Sequence, residues 1–392
     1  MQRKVILSKR LLAMIALTGD VHAYELQGNL NLEQRHYVSE GEQQPEQYEA
    51  TLSFQPELYY SQGDLELNIK PYARVNSLDN SKSEFYFKEL NLTYTADIHE
   101  FKVGINQVFW GVTESQHIID IINQTDTLAS VDFEQKIGQP MLQYTYYANE
   151  GALQVFLLTH FQAPLYASDD GRLRAQVPVD PALTEYQSSS GKNRKDLAIR
   201  YSSQLAEIDY SLHYFNGIQR NPELQYSPSH SALAPFHPTI EQIGLESQLV
   251  QGSWLFKLEG YHRHASHNYT ALTSGFEYSF VGIFDSQWDV NAIVEYQYDS
   301  RQDASLAQGQ NDVFIGARVT LNDMDGTTAL FGVAQDLDDT STVSGRLEMS
   351  SRFNNSWRWR LEGWMFQTDS ASEITYFARK DDFVQFSLEY YF

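Results

Sequence analysis

The chain contains no cysteine. A disulfide scaffold, a thiolate zinc centre and a cysteine nucleophile are therefore excluded. It also has no run of 18 apolar residues, and its mean hydropathy is −0.45, so no transmembrane helix can be drawn from it. Basic residues are scarce, with 28 Lys and Arg against 51 Asp and Glu, a net charge of −23. A polyanion of this kind offers no clustered cations for phosphate, which excludes nucleic acid as a partner. What is abundant is aromatic: 14% of 392 residues, with 25 Tyr and 22 Phe. The length alone would suggest two or three soluble domains, but the pattern of the residues suggests a single unit.

The first residues read as an address. Arg3, Lys4, Lys9 and Arg10 form a basic stretch, Leu11 to Leu17 an apolar one, and Val21-His22-Ala23 a small-x-small cleavage pattern. The expectation is a secretory signal over 1–23 and a mature unit over 24–392, carrying 24 basic and 50 acidic residues, or −26. No cysteine stands at the cleavage site to take a lipid anchor.

From Tyr24 onward the dominant period is two. Leu65, Leu67 and Ile69 alternate with Glu66, Asn68 and Lys70, and Trp357, Trp359 and Leu361 alternate with Arg358, Arg360 and Glu362. Such segments set one face against something apolar and the other against something polar. Eighteen can be counted, from 24–36 through a fifth at 100–111 to a last at 382–392. Their connections alternate in length. Turns such as Ser61-Gln-Gly-Asp64 and Asn149-Glu-Gly151 carry the Gly, Asn or Asp of tight turns. The connections between them are mostly longer, above all 112–138, 161–193 and 217–238. Sorting by parity, an even strand count and Trp and Tyr near strand ends (Trp110, Trp254, Trp288, Trp357, Tyr390) are features of a transmembrane β-barrel. The predicted fold class is all-β: one antiparallel up-and-down barrel of about eighteen strands, both termini periplasmic and the long loops outside. A soluble all-β protein is the competing reading.

The last strand alternates Val384, Phe386, Leu388, Tyr390 and Phe392 with Gln385, Ser387, Glu389 and Tyr391. Apolar residues at every second position before a terminal Phe resemble the assembly signal of Gram-negative outer-membrane proteins. That resemblance implies three partners: outer-membrane lipid, lipopolysaccharide, and the barrel assembly machinery acting through Phe392. If apolar residues face lipid, their neighbours face a lumen. Eleven cations then point inward, among them Lys70, Arg74, Lys102, Arg200, Arg318, Arg346, Arg358 and Arg360. Twelve carboxylates do so too, among them Glu66, Glu89, Glu348 and Glu362. These twelve named residues are the candidate pore lining, and Lys70, Arg74 and Lys102 the favoured contact for a passing solute. An eighteen-stranded barrel is wide enough for water, though Arg and Glu on adjacent strands can equally pair across the ladder.

One stretch carries a closer likeness. Lys102-Val-Gly-Ile-Asn-Gln-Val-Phe-Trp-Gly111, followed by Ile119-Asp-Ile-Ile-Asn-Gln-Thr-Asp126 and preceded by Lys88-Glu-Leu-Asn-Leu-Thr-Tyr94, resembles porin-like barrels of the alginate-export type. The resemblance implies that Trp110, Gly111, Asp120, Asn123 and Asp126 fold the 112–138 loop at the barrel mouth or inward, as a constriction. It also implies an Arg-rich tunnel for a polyanion, from which this balanced wall departs. His262, His264 and His267 could hold a surface metal ion but read better as a rim cluster, and Asn322 to Gly326 reads as a turn. The expected function is a passive channel or exporter for small polar or carbohydrate-like solutes, with no enzyme chemistry, no metal and no cofactor. The alternative is an adhesin or enzyme with a closed lumen that acts through its outer loops.

Overall fold

The computed structural model describes residues 23–302, 309–371 and 373–392; the expected leader lies outside these save for Ala23. The described residues form an eighteen-stranded antiparallel sheet and a separate three-stranded one. In chain order the strands are β1 (Ala23–Tyr37), β2 (Tyr48–Gln62), β3 (Leu65–Asn76), β4 (Glu84–Ala96), β5 (His99–Asn106), β6 (Gln139–Ala148) and β7 (Gly151–Leu158). There follow β8 (Glu185–Tyr186), β9 (Asp196–Leu205), β10 (Ile208–Ile218), β11 (Glu223–Ser227), β12 (Ala232–His237), β13 (Thr239–Gln251), β14 (Trp254–His264) and β15 (Tyr269–Phe280). The last six are β16 (Asp289–Asp299), β17 (Asn311–Thr320), β18 (Thr328–Asp336), β19 (Val343–Arg352), β20 (Trp357–Gln367) and β21 (Phe383–Tyr391).

All but β8, β11 and β12 belong to the large sheet. It closes on itself: Asn29 faces Tyr391 and Tyr37 faces Phe383, so β1 pairs with β21. Closure removes both edges, and every ladder bond is made within the sheet. The alternation sorts the side chains inside out. Leu52, Phe101, Leu142, Ile243, Ile315 and Phe386 are exposed on the outer wall, whereas Arg35, Glu246, Glu259, Glu277, Glu295 and Glu389 are buried within. A soluble protein buries the first set and exposes the second. An apolar exterior this continuous calls for lipid. Tight turns, Ala23, Phe392 and the rings of Trp254, Tyr278, Trp357 and Tyr390 gather at one end, the long loops at the other. Gly63 and Gly252 turn the chain at φ 58° and 61° with open space around them, a left-handed conformation that costs glycine nothing.

Three departures from the sequence reading matter. The fifth strand ends at Asn106 rather than near 111, because the chain leaves the wall there. The register of β3 on β4 slips between Lys70 and Pro71, skipping Lys88 on the partner strand. That bulge turns both Lys88 and Glu89 inward, where they bond Gln135 and Asn68. Finally, 161–193 and 217–238 are not plain loops. They build the small sheet, in which β11 pairs with β12 and β12 with β8, at the long-loop end.

Candidate pore

The chain between β5 and β6 folds into the barrel, and each residue that the resemblance singled out has a structural task there. Asn123 accepts from the Val108 amide and donates to the carbonyls of Asn106 and Ile137, clasping the loop at its two stems. Asp120 accepts from the Trp110 amide and pairs with Lys136 at 3.0 Å. Asp126 caps the turn at Leu128 and Ala129, accepts from the Tyr86 hydroxyl and pairs with Arg74 at 3.3 Å. Gly111 has φ 146°, and a Cβ there would lie 2.8 Å from His117 Nδ1 and 3.1 Å from Glu259 Oε1. Trp110 is buried against Phe156 and His213.

The loop divides the lumen. On one side Trp110, Ile119, Ile121 and Ile122 pack on Met141, Phe156, Leu158, Ala198, Phe215, Ile240 and Tyr261, inward residues of β6 through β14. This is a dry core inside a barrel whose inner wall reads as polar. Across the lumen the loop is held by charge. Glu259 accepts the amides of Val112 and Thr113, and Glu295 accepts those of Glu114 and Ser115. Glu114 itself reaches Arg318 and, at 2.6 Å, Arg346. Four further lumenal anchors, Arg220, Arg74, Tyr86 and Lys88, grip its other parts.

What stays open lies between the loop and the β17–β20 wall. A cavity of about 430 Å³ is bordered there by Glu114, His117, Asp132 and Glu134 of the loop and by Arg318, Glu348, Arg358 and Arg360 of the wall. Below the loop, on the turn side, a second cavity of about 610 Å³ runs along Arg200, Ser211 and Glu246.

The twelve lining candidates all face inward, but they do not form one site. Lys102 is level with Thr93, which is level with Glu66, whereas Lys70 is level with Glu89. Lys70 and Arg74 are thus four and eight residues further along the wall, roughly 13 and 26 Å. The favoured trio is a line and not a cluster. Arg74 is buried with its side chain 2% exposed and paired with Asp126, and Lys70 pairs with Glu57. Arg200 pairs with Glu246 beside the turn-side cavity. The exposed charges are elsewhere: Arg360, 38% exposed, between Glu362 and Glu389; Arg318, 34%; Glu348, 32%. Arg358 donates to Ser350. Sequence reasoning missed Glu114, His117, Asp132 and Glu134, since parity says nothing about residues in a loop. His262 and His264 bond to Thr270 and Asn268 separately, and Asp323 bonds within the Asn322–Gly326 turn region, to the amides of Gly326 and Thr327.

No protein-family model matches the sequence and no curated protein matches it, so the likeness to alginate-export barrels stands on the quoted segments alone. Solved structures do match. The Wzi outer-membrane protein of Escherichia coli, described as a carbohydrate-binding β-barrel, is 10% identical with a TM-score of 0.56, over 93% of this chain and 83% of its own. A BenF-like porin from Pseudomonas fluorescens Pf-5 is 10% identical at 0.54, over 95% and 98%. OccD3 (OpdP) of Pseudomonas aeruginosa is 10% identical at 0.53, over 96% and 92%. At this identity the likeness is one of fold, and the chain has the fold of the porin-like barrels of the Gram-negative outer membrane.

Proposed function

We propose that the protein is an outer-membrane channel for the passive passage of small polar, carbohydrate-like solutes. The observation that carries this reading is the off-centre aqueous gap between Glu114, Asp132 and Glu134 on the loop and Arg318, Arg358 and Arg360 on the wall. Carboxylates on the loop face a wall on which guanidiniums alternate with Glu348 and Glu362, which sets up a mixed field across the path. It orients a dipolar, hydroxylated or zwitterionic solute and gives net charge of either sign no large advantage. The balance argues against a polyanion such as alginate. The twelve lining candidates divide accordingly: Arg318, Arg346, Arg358, Arg360, Glu348 and Glu362 border or brace the gap, and the other six brace the rest of the wall.

The test is reconstitution of the purified protein in a planar bilayer, with swelling of liposomes in neutral sugars of graded size. Discrete ion conductance and uptake that falls with sugar size are expected. Glu114→Gln, which weakens the tie from loop to wall, should raise or destabilise the conductance level. A silent bilayer with a correctly folded barrel would overturn the channel. It would favour the closed-lumen reading, which one observation supports: Arg172 straps the 161–193 segment across the mouth, bonding Asp381 and the carbonyls of Ser39, Glu46 and Lys380.

A further inference from the structure

Cations are scarce in this chain, and the fold spends most of them inside the barrel, on carboxylates. One basic run escapes. Lys192-Asn-Arg-Lys195 lies at the long-loop end, just before β9. Lys192 and Lys195 are exposed, and among the described residues no carboxylate pairs with either amine. The Lys195 ammonium donates only to the Thr159 carbonyl, at 2.7 Å, which leaves its charge whole. Arg194 is already engaged, pairing with Asp196 at 2.6 Å and donating to the carbonyl and side-chain oxygens of Asn216. Lys192 and Lys195 therefore present two uncompensated positive charges on the outer surface of a protein at −23.

Its height is informative. Asp196 and Ala198 are buried inward, so Lys195 falls on the outward parity of Leu197, Ile199, Tyr201 and Leu205, all exposed. From Lys195 to Leu205 is ten residues, about 33 Å of strand and about 25 Å along the membrane normal at the usual barrel tilt. That is the height of an apolar band. Lys195 thus caps a column of lipid-facing side chains at the depth where headgroups begin, with Lys192 three residues before it. The nearest outward acid by register, Glu241, stands two strands away at the level of Leu197 and is engaged by Asn216.

We propose that Lys192 and Lys195 dock the phosphate groups of a lipid in the leaflet around the long-loop end. The acyl chains would lie down the Leu197–Tyr201 column while the phosphates meet the cations above it. Charge-assisted bonds to phosphate and a fixed height relative to the apolar band supply the recognition.

The probe is diphosphoryl lipid A, added to the full-length protein in neutral detergent, with retained lipid counted by native mass spectrometry. Lys192→Gln combined with Lys195→Gln should weaken retention about tenfold. Arg352→Gln, at the turn end, should leave it unchanged. Dephosphorylated lipid A should be retained poorly, and millimolar inorganic phosphate should not displace the intact lipid. Equal retention by the double variant, an equal loss with Arg352→Gln, indifference to the lipid's phosphates, or displacement by free phosphate would each overturn the proposal. A heat-modifiable gel shift identical to wild type verifies folding of each variant. The result is independent of conductance, since a barrel that passes no ions can still hold this lipid.

Discussion

The two halves of the lumen are built from the same alternating strands and meet the loop differently. From β6 round to β15 it lies on the apolar inward residues Met141, Phe156, Leu158, Phe215, Ile240 and Ala271, sealed by Trp110 and Ile122. From β16 round to β21 it faces a wall that carries Glu295, Arg318, Arg346, Glu348, Arg358 and Arg360, and water reaches several of them. An inner loop needs both halves. The dry one gives it burial, which is non-directional and large. Carboxylates at the seam of the two halves, Glu259 of β14 and Glu295 of β16, give it position, because each takes a pair of backbone amides that only one placement of the loop can offer.

The largest expected effect separates the halves by stability. Trp110→Ala removes a fully buried indole from the dry side and should cost about 3–5 kcal/mol. Arg358→Gln changes a side chain that faces the open gap and has only neutral partners, Ser350 and Tyr391, and should cost about 0.5 kcal/mol or less. The measurement is the urea midpoint of the heat-modifiable form for both variants. Similar midpoints would mean that the apolar cluster is not holding the loop.

A smaller effect separates them by selectivity. Arg358→Gln with Arg360→Gln strips charge from the gap and should move the reversal potential in a KCl gradient toward cations. Lys70→Gln with Lys102→Gln should move it less. Lys70 already has Glu57, and Lys102 lies level with Glu66 near the turn end, away from the loop. The opposite ranking would place the controlling constriction on the β3–β5 wall.

Much of this was legible in the residues and some of it was not, for definite reasons. Parity places Arg318, Arg346 and Arg360 inward correctly because a period of two leaves a side chain only two directions. Parity fails where the backbone breaks it, and the bulge at Lys88 is marked only on the facing strand, by Pro71. The trio of Lys70, Arg74 and Lys102 was misjudged as a neighbourhood because alternation gives direction but not height, which register alone supplies. The dry half did leave a trace. Val155-Phe-Leu-Leu158 is apolar at both parities, so its inward members need an apolar partner inside the barrel. Only the loop, with Trp110 and Ile119 to Ile122, could provide one. The small outer sheet left Leu224 and Tyr226 in alternation, too short a signal to separate from loop.

The smallest effect tests whether the dry half continues above the barrel. The small sheet rises from β7, β9, β10 and β13, over that half, and His237 of β12 sits in it between Phe161 and Tyr186, ring centroids 4.8 and 5.4 Å away. Its Nδ1 faces the Gln219 carbonyl at 3.0 Å, and the adjoining Arg220 reaches the inner loop at the Ile122 carbonyl. Burial pushes the His237 imidazole below its ordinary range, helped by the nearby Arg220 charge and only partly opposed by that carbonyl. The folded cap therefore holds this histidine neutral more strongly than the unfolded chain does. Its contribution is intact above the unfolded value of about 6.5 and is lost as pH falls from there through the folded value. Between pH 7 and pH 5, amide protection against hydrogen exchange, taken relative to the intrinsic rate at each pH, should fall in 161–193 and 217–238 and stay unchanged in β16 to β20. His237→Gln should flatten the response by removing the titrating group. A loss of protection spread evenly over both halves, or persisting in the variant, would show that the cap and the dry core are not one continuous body.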